Sequence, residues 1–218
     1  MKKLLCTAAL SALLFLLFGC NAGGGLSERV SEYKSAIYTA QTEGASLEAS
    51  YSVREYPYAA DGVASETDSL FEVRANLPDN TLTYHLSFEA GSRSYGGEMN
   101  FDSVKQQFTF SESIDEPSEK QIVFTISAEG ENAPSYTFTA QRTAGGLTLS
   151  ALLDAVSASQ KQAISDFAGE NFDGEIYVRL LLQGENKYFY VGFIDRSGNC
   201  LSFLADADTG EVLASKHP

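Results

Sequence analysis

Between residues 45 and 144 hydrophobicity repeats every second residue, and that period restricts the stretch to strands with one face turned to a core. Leu47, Ala49, Tyr51 and Val53 alternate with Glu48, Ser50, Ser52 and Arg54. The same alternation returns at 71–77, 82–88, 122–126 and 136–140, and more weakly at 95–101 and 106–110. Pro78-Asp79-Asn80 and similar polar clusters supply turns, and 57–68 reads as a loop. The stretch is therefore expected to be an antiparallel β-meander of about seven strands.

Helical periods are expected on either side of it. Ser27 is placed to cap a first helix, with Val30, Tyr33, Ile37 and Ala40 near the 3.6-residue repeat through Thr42 and Gly44 closing it. After Ala144-Gly145-Gly146, Thr148 can cap a second helix. Its apolar face would hold Leu149, Leu152, Leu153, Val156, Ala163, Ile164 and Phe167, with Gly169 ending it. Three more strands follow at 176–182, 188–194 and 200–205, the second apolar on both faces. The expected class is thus α+β: a meander packed with two amphipathic helices, plus a C-terminal unit of one helix and three strands. Seven strands about 4.8 Å apart span roughly 30 Å. Two helices about 10 Å across cover only part of that width, so the sheet is expected to curve strongly.

The N-terminus carries an address. Lys2 and Lys3 precede an apolar run, 4–18, that is shorter than the roughly 20 residues a membrane span needs. Leu17-Phe18-Gly19-Cys20 resembles a bacterial lipobox, with Leu17 and Gly19 as the signal-recognition positions and Phe18 bulkier than the pattern's usual residue. The resemblance implies cleavage before Cys20 and attachment of lipid to its sulfur. It divides the chain into a signal peptide at 1–19, a lipidated cysteine with a flexible tether at 20–25, a first region at 26–144 and a second at 145–218. The last two form either separate units or one continuous domain. The expected location is extracytoplasmic, anchored to the bacterial membrane through the lipid on Cys20.

Charge bounds the partners. Loss of Lys2 and Lys3 from 15 basic residues leaves 13 against 29 acidic ones, a formal net charge of −16. Such a domain is repelled by phosphate backbones, which argues against nucleic acid, and by anionic lipid surfaces. With Cys6 in the leader and Cys20 lipidated, Cys200 is the one remaining thiol, expected as a small hydrophobe in a strand.

A second resemblance lies at the other end. The order helix, strand, turn, strand, turn, strand, running into Asp208-Thr209-Gly210-Glu211-Val212, is similar to a PepSY-type module over about the last 70 residues. PepSY modules occur in protease propeptides and surface lipoproteins, which implies an inhibitory or binding role. In element order alone, the curved sheet with helices also resembles the LolA or LprG class of lipid-binding half-barrels, implying a lipid or lipopeptide carrier.

Catalytic patterns are missing. Ser31-Glu32-Tyr33-Lys34 has Ser-x-x-Lys spacing without Ser-Asp-Asn or Lys-Thr-Gly partners, and neither a nucleophile elbow nor a phosphate loop occurs. His85 lies on the polar side of a strand, His217 is penultimate, and neither has a nearby second soft ligand, so no metal or cofactor is expected. Asp206-Ala207-Asp208-Thr209-Gly210 opens like a calcium loop but lacks its spacing and reads as a turn, in which Asp208 is expected to accept from the backbone. Aromatic residues fall on the inward strand phase: Tyr51, Phe71, Tyr84, Phe88, Phe101, Phe108, Phe110, Phe124, Tyr136 and Phe138. They line either a hydrophobic cavity or an ordinary core. The sequence thus points to a non-enzymatic lipoprotein that binds a protein, peptide or lipid.

Cys20→Ser is expected to abolish acyl labelling and release the protein from the membrane fraction; retained labelling would refute the lipobox reading.

Overall fold

Strand β1 (Val30–Thr42) is flanked on one edge by two partners in succession and on the other by β2 (Ala45–Arg54) along most of its length. In the computed structural model, which describes residues 24–169 and 172–218, the strands form a single 13-stranded sheet. From β2 one arm passes to β3 (Asp68–Asn76), then β7 (Gln107–Glu112) and β6 (Asn100–Asp102). The other arm leaves β1 through β9 (Ser135–Ala144) to β8 (Gln121–Ala128), β4 (Tyr84–Ala90) and β5 (Arg93–Glu98). Apart from the parallel β1–β10 pair, every pairing is antiparallel.

The two arms curl toward each other. Phe88 of β4 lies 6.4 Å from Phe110 of β7, and Tyr84 of β4 lies 4.8 Å from Phe108 of β7, between ring centroids. Phe71, fully buried, touches Phe88 at 5.3 Å and Phe124 at 6.3 Å. The result is a nearly closed, strongly curved sheet whose inner face is filled by aromatic rings in mutual contact. Each such ring contributes about 1.5–3 kcal/mol by leaving water.

The C-terminal strands extend this sheet. β10 (Glu175–Gln183) runs parallel to the start of β1, and β11 (Asn186–Ile194), β12 (Cys200–Asp206) and β13 (Val212–Lys216) follow as antiparallel neighbours. Residues 24–27 make a single helical turn, α1 (Gly24–Ser27), and Leu26 already packs on the C-terminal core. Helices α2 (Leu149–Ser159) and α3 (Lys161–Ala168) connect β9 to β10. Leu152, Leu153 and Val156 of α2 bury against Ile176, Val178, Phe189, Val191 and Phe203 in a second core. Thr148 caps α2, its hydroxyl accepting from the Ala151 amide at 3.3 Å, and Gly169 closes α3 at φ +68. The expected single helix is therefore two, broken at Gln160, and a fourth strand, β13, follows the expected three.

One expectation is overturned. The segment expected as the first helix, 27–42, is strand β1 over most of its length, because its ladder slips by one residue twice, between Val30 and Glu32 and between Lys34 and Ala36. Val30 and Tyr33, three apart, consequently both reach the C-terminal core. Ala36 and Tyr38 enter the aromatic core, while Ile37 between them joins the C-terminal one. Two bulges and burial on both faces thus imitate a helical spacing.

The meander, too, is less local than its sequence implies. It includes hairpins, but β3 pairs with β7 and β4 with β8, so three connections cross between the arms, from β3 to β4, from β5 to β6 and from β7 to β8.

Phe71→Ala is expected to lower the unfolding free energy by about 3–5 kcal/mol, read from urea titrations, since the packed rings around it leave no room for collapse.

Candidate functional site

The residues expected to carry function fall into four places. Cys20, Leu17 and Gly19 lie outside the described residues. Of the aromatic series, Tyr51, Phe71, Tyr84, Phe88, Phe124 and Phe138 are buried in one cluster, with Phe110 half-buried against it. They belong to one hydrophobic core cluster. Phe101 shares the inward face of Phe108, its direct partner, but it sits on β6, a three-residue edge strand, and is left 36% exposed.

Asp208, Thr209, Gly210 and Glu211 form the turn before β13. The carboxylate that organises it is Asp206, not Asp208: Asp206 Oδ1 accepts from the amides of Asp208 and Thr209, at 3.0 and 2.8 Å, and from Thr209 Oγ1 at 2.9 Å. These bonds hold the Asp206 carboxyl below its ordinary pKa. Asp208 instead pairs with Lys187 at 2.7 Å. A Cβ on Gly210 would stand 2.8 Å from Ala155 Cβ, so the turn is a docking point for α2.

His85 is exposed and pairs with Glu129 at 2.8 Å. Cys200 is half-buried, 3.5 Å from the Tyr177 hydroxyl. Among the described residues no three His, Cys, Asp or Glu side chains converge as a metal site.

The arrangement that sequence reasoning missed lies on the face of β10–β12 turned away from the helices. Strand alternation places Glu175, Tyr177, Arg179 and Leu181 along β10, with Tyr188, Tyr190 and Gly192 beside them on β11 and Leu204 on β12. Arg179 is the centre of this face. Its Nε donates to Glu32 Oε2 of β1 at 2.9 Å, and Nη2 donates to the same oxygen. The guanidinium carbon stands 4.7 Å from the Tyr177 ring centroid and 5.5 Å from that of Tyr58, which reaches over from the β2–β3 connection. Burial opposes its charge, yet the bonds and charge of Glu32 outweigh it and raise its pKa above the ordinary arginine value.

Tyr177 lies flat because of its neighbour. A Cβ on Gly192, its direct partner on β11, would stand 2.2 Å from the Tyr177 ring. The absent side chain makes the bed for the ring, which lies 5.7 Å from the Tyr190 ring and tilted 33° to it. Burial pushes the Tyr58 hydroxyl up to about 12, with the Glu175 charge adding to it, so this tyrosine is protonated at any physiological pH.

At the Leu181 end the face opens into a groove of about 450 Å³, where β10 parts from β1. Lys34, Glu48, Leu181, Tyr188 and Leu204 line it. Lys34 makes no hydrogen bond or ion pair, and burial, reinforced by the Arg74 charge, lowers its pKa while Glu48, Glu32 and Glu72 pull the other way. The arrangement offers planar rings, a fixed guanidinium, an unpaired ammonium and apolar side chains. No known protein family, curated protein or solved structure matches the chain.

Arg179→Met leaves the Glu32 carboxylate buried without its cation and is expected to cost about 1–3 kcal/mol, below the usual figure for a buried pair because the guanidinium is 36% exposed. Adding Glu32→Gln is expected to return most of that loss in a double-mutant cycle.

Proposed function

We propose that the protein is an extracytoplasmic lipoprotein, held at the membrane through Cys20, that binds a protein or peptide partner on the outer face of β10–β12. The tyrosine and arginine face carries this reading. Tyr and Arg are among the side chains that dominate binding energy at protein interfaces; Tyr buries a large area with little rotamer freedom to lose, and this Arg is already held by Glu32. Here four tyrosines flank one arginine, with exposed Leu181 at the open end.

The interior supports a protein ligand over a carried lipid, since the aromatic side chains that would line a carrier's cavity are packed ring on ring. A PepSY-like inhibitor is the special case in which the partner is a protease. The order of α2, α3 and the following antiparallel strands is compatible with it. Within the described residues no helix is long and apolar enough to cross a membrane, so in this reading the lipid on Cys20 supplies the attachment.

A photo-crosslinking amino acid at Leu181 is expected to give a discrete adduct in intact cells, lost when Tyr190→Ala is added. The same group at Val123, 52% exposed on the far arm, is expected to give none. Equal labelling at both positions, or none at either, would sink the proposal.

A further inference from the structure

The far end of the same face is covered. The segment 55–67, between β2 and β3, lies across Glu175, Tyr177 and Arg179 like a strap. Its first residue is tied down: the Glu55 amide donates to the Ser31 carbonyl at 3.0 Å, and the Glu55 carboxylate accepts from the Ser65 amide, closing the strap on itself. Its middle is fitted to the β11–β12 turn. Gly62, at φ +79, sits so close that a Cβ would stand 2.2 Å from the Asp195 carbonyl oxygen. Tyr58 lays its ring 6.5 Å from that of Tyr177.

Beneath the strap is a carboxyl with nothing to hold. Glu175 is fully buried, and neither of its side-chain oxygens has a hydrogen-bond partner. The Tyr58 hydroxyl, also buried, has none either. An ionised carboxylate in such a place is costly unless it is paired. Arg179, two pairs along on the same strand face, is committed to Glu32.

The remaining charges make matters worse. From the strap Glu55 and Asp61 both face Glu175 with like charge, while the Gly62 amide offsets part of the penalty and the Ser31 hydroxyl of β1 is turned to the Ile176 carbonyl. Burial first, and then the Glu55 and Asp61 charges, raise its pKa above the ordinary glutamate value. No metal site offers compensation among the described residues. A proton is the smallest species that removes the conflict, since a neutral carboxyl loses the repulsion and gains a donor.

We propose that a proton on Glu175 latches the strap 55–67 onto β10, and that its loss to solvent frees the strap and uncovers Tyr177 and Arg179. The latch needs no partner and stands whether or not the tyrosine face binds one. The sign follows from linkage. A carboxyl with a raised folded-state pKa adds stability in the protonated form, and this contribution is lost as pH rises through the folded value. The strap is therefore closed in acid and loosened toward neutrality, and the melting temperature falls over the same range for the same cause.

Three measurements on the full-length protein test this. In carboxyl ¹³C NMR of the wild type, one glutamate is expected to titrate clearly above the ordinary value of about 4.3; titration of every glutamate within the ordinary range would overturn the proposal. In hydrogen exchange, protection factors across 56–66 are expected to drop at least tenfold between about pH 4 and about pH 8, while those of β8 hold. Protection that falls uniformly through the chain would overturn the strap. Finally, the melting temperature of Glu175→Gln is expected to gain on the wild type by about 3 °C or more over that interval, with strap protection independent of pH. Parallel pH profiles for variant and wild type would assign the titration to another group.

Discussion

Everything in this fold depends on β1 being shared. One edge of the strand pairs first with β10, in parallel, and then with β9, antiparallel, while the other edge is occupied by β2. Its own side chains enter both cores, Ala36 and Tyr38 the aromatic one and Ile37 the C-terminal one. The changeover falls at Ser35, where the β1–β2 ladder slips. Such a strand has little room for polar side chains, and three of its buried ones are employed. Ser31 Oγ donates to the Ile176 carbonyl, Ser35 Oγ donates to Glu116, and Glu32 holds Arg179. Each satisfies a group that would otherwise be buried at the cost of its hydration.

That sharing also builds the candidate site. Glu32 belongs to the strand that opens the barrel-like sheet, Arg179 to the C-terminal strands and Tyr58 to the strap following β2. They meet because β1 lies between β2 and β10. The local charge then differs from the global one. A chain with a formal net charge of −14 presents, on this face, a guanidinium braced between two rings and an ammonium with no partner. Diffuse negative charge keeps anionic surfaces away, whereas short-range contacts decide what fits once it has arrived.

The strap connects recognition to pH through one residue. Glu175 stands on the same strand face as Tyr177 and Arg179, so whatever relieves its burial alters access to them. The charged site and the packed core also differ in what they tolerate. The interior rings are packed against one another, while the face leaves an ionisable group, the Glu175 carboxyl, buried without a hydrogen-bond partner, which is where a folded protein keeps freedom to respond.

The sequence by itself determined the strands whose burial is one-sided, such as β4, whose pattern from Tyr84 to Ala90 alternates without a break. It also determined the Thr148 and Gly169 helix boundaries and the aromatic composition of the core, because period, caps and glycines are local signals. β1 was illegible as a strand, since burial on both faces and two bulges gave it the apolar spacing of a helix. The tyrosine face was illegible for another reason. Tyr177, Tyr188 and Tyr190 read as ordinary strand residues, and nothing in the chain order announces that Glu32 and Tyr58, more than a hundred residues earlier, will stand beside them. Only the tertiary structure decided which strand lies next to which, because pairing is chosen by the burial of whole faces and not by any property of the pairing residues alone.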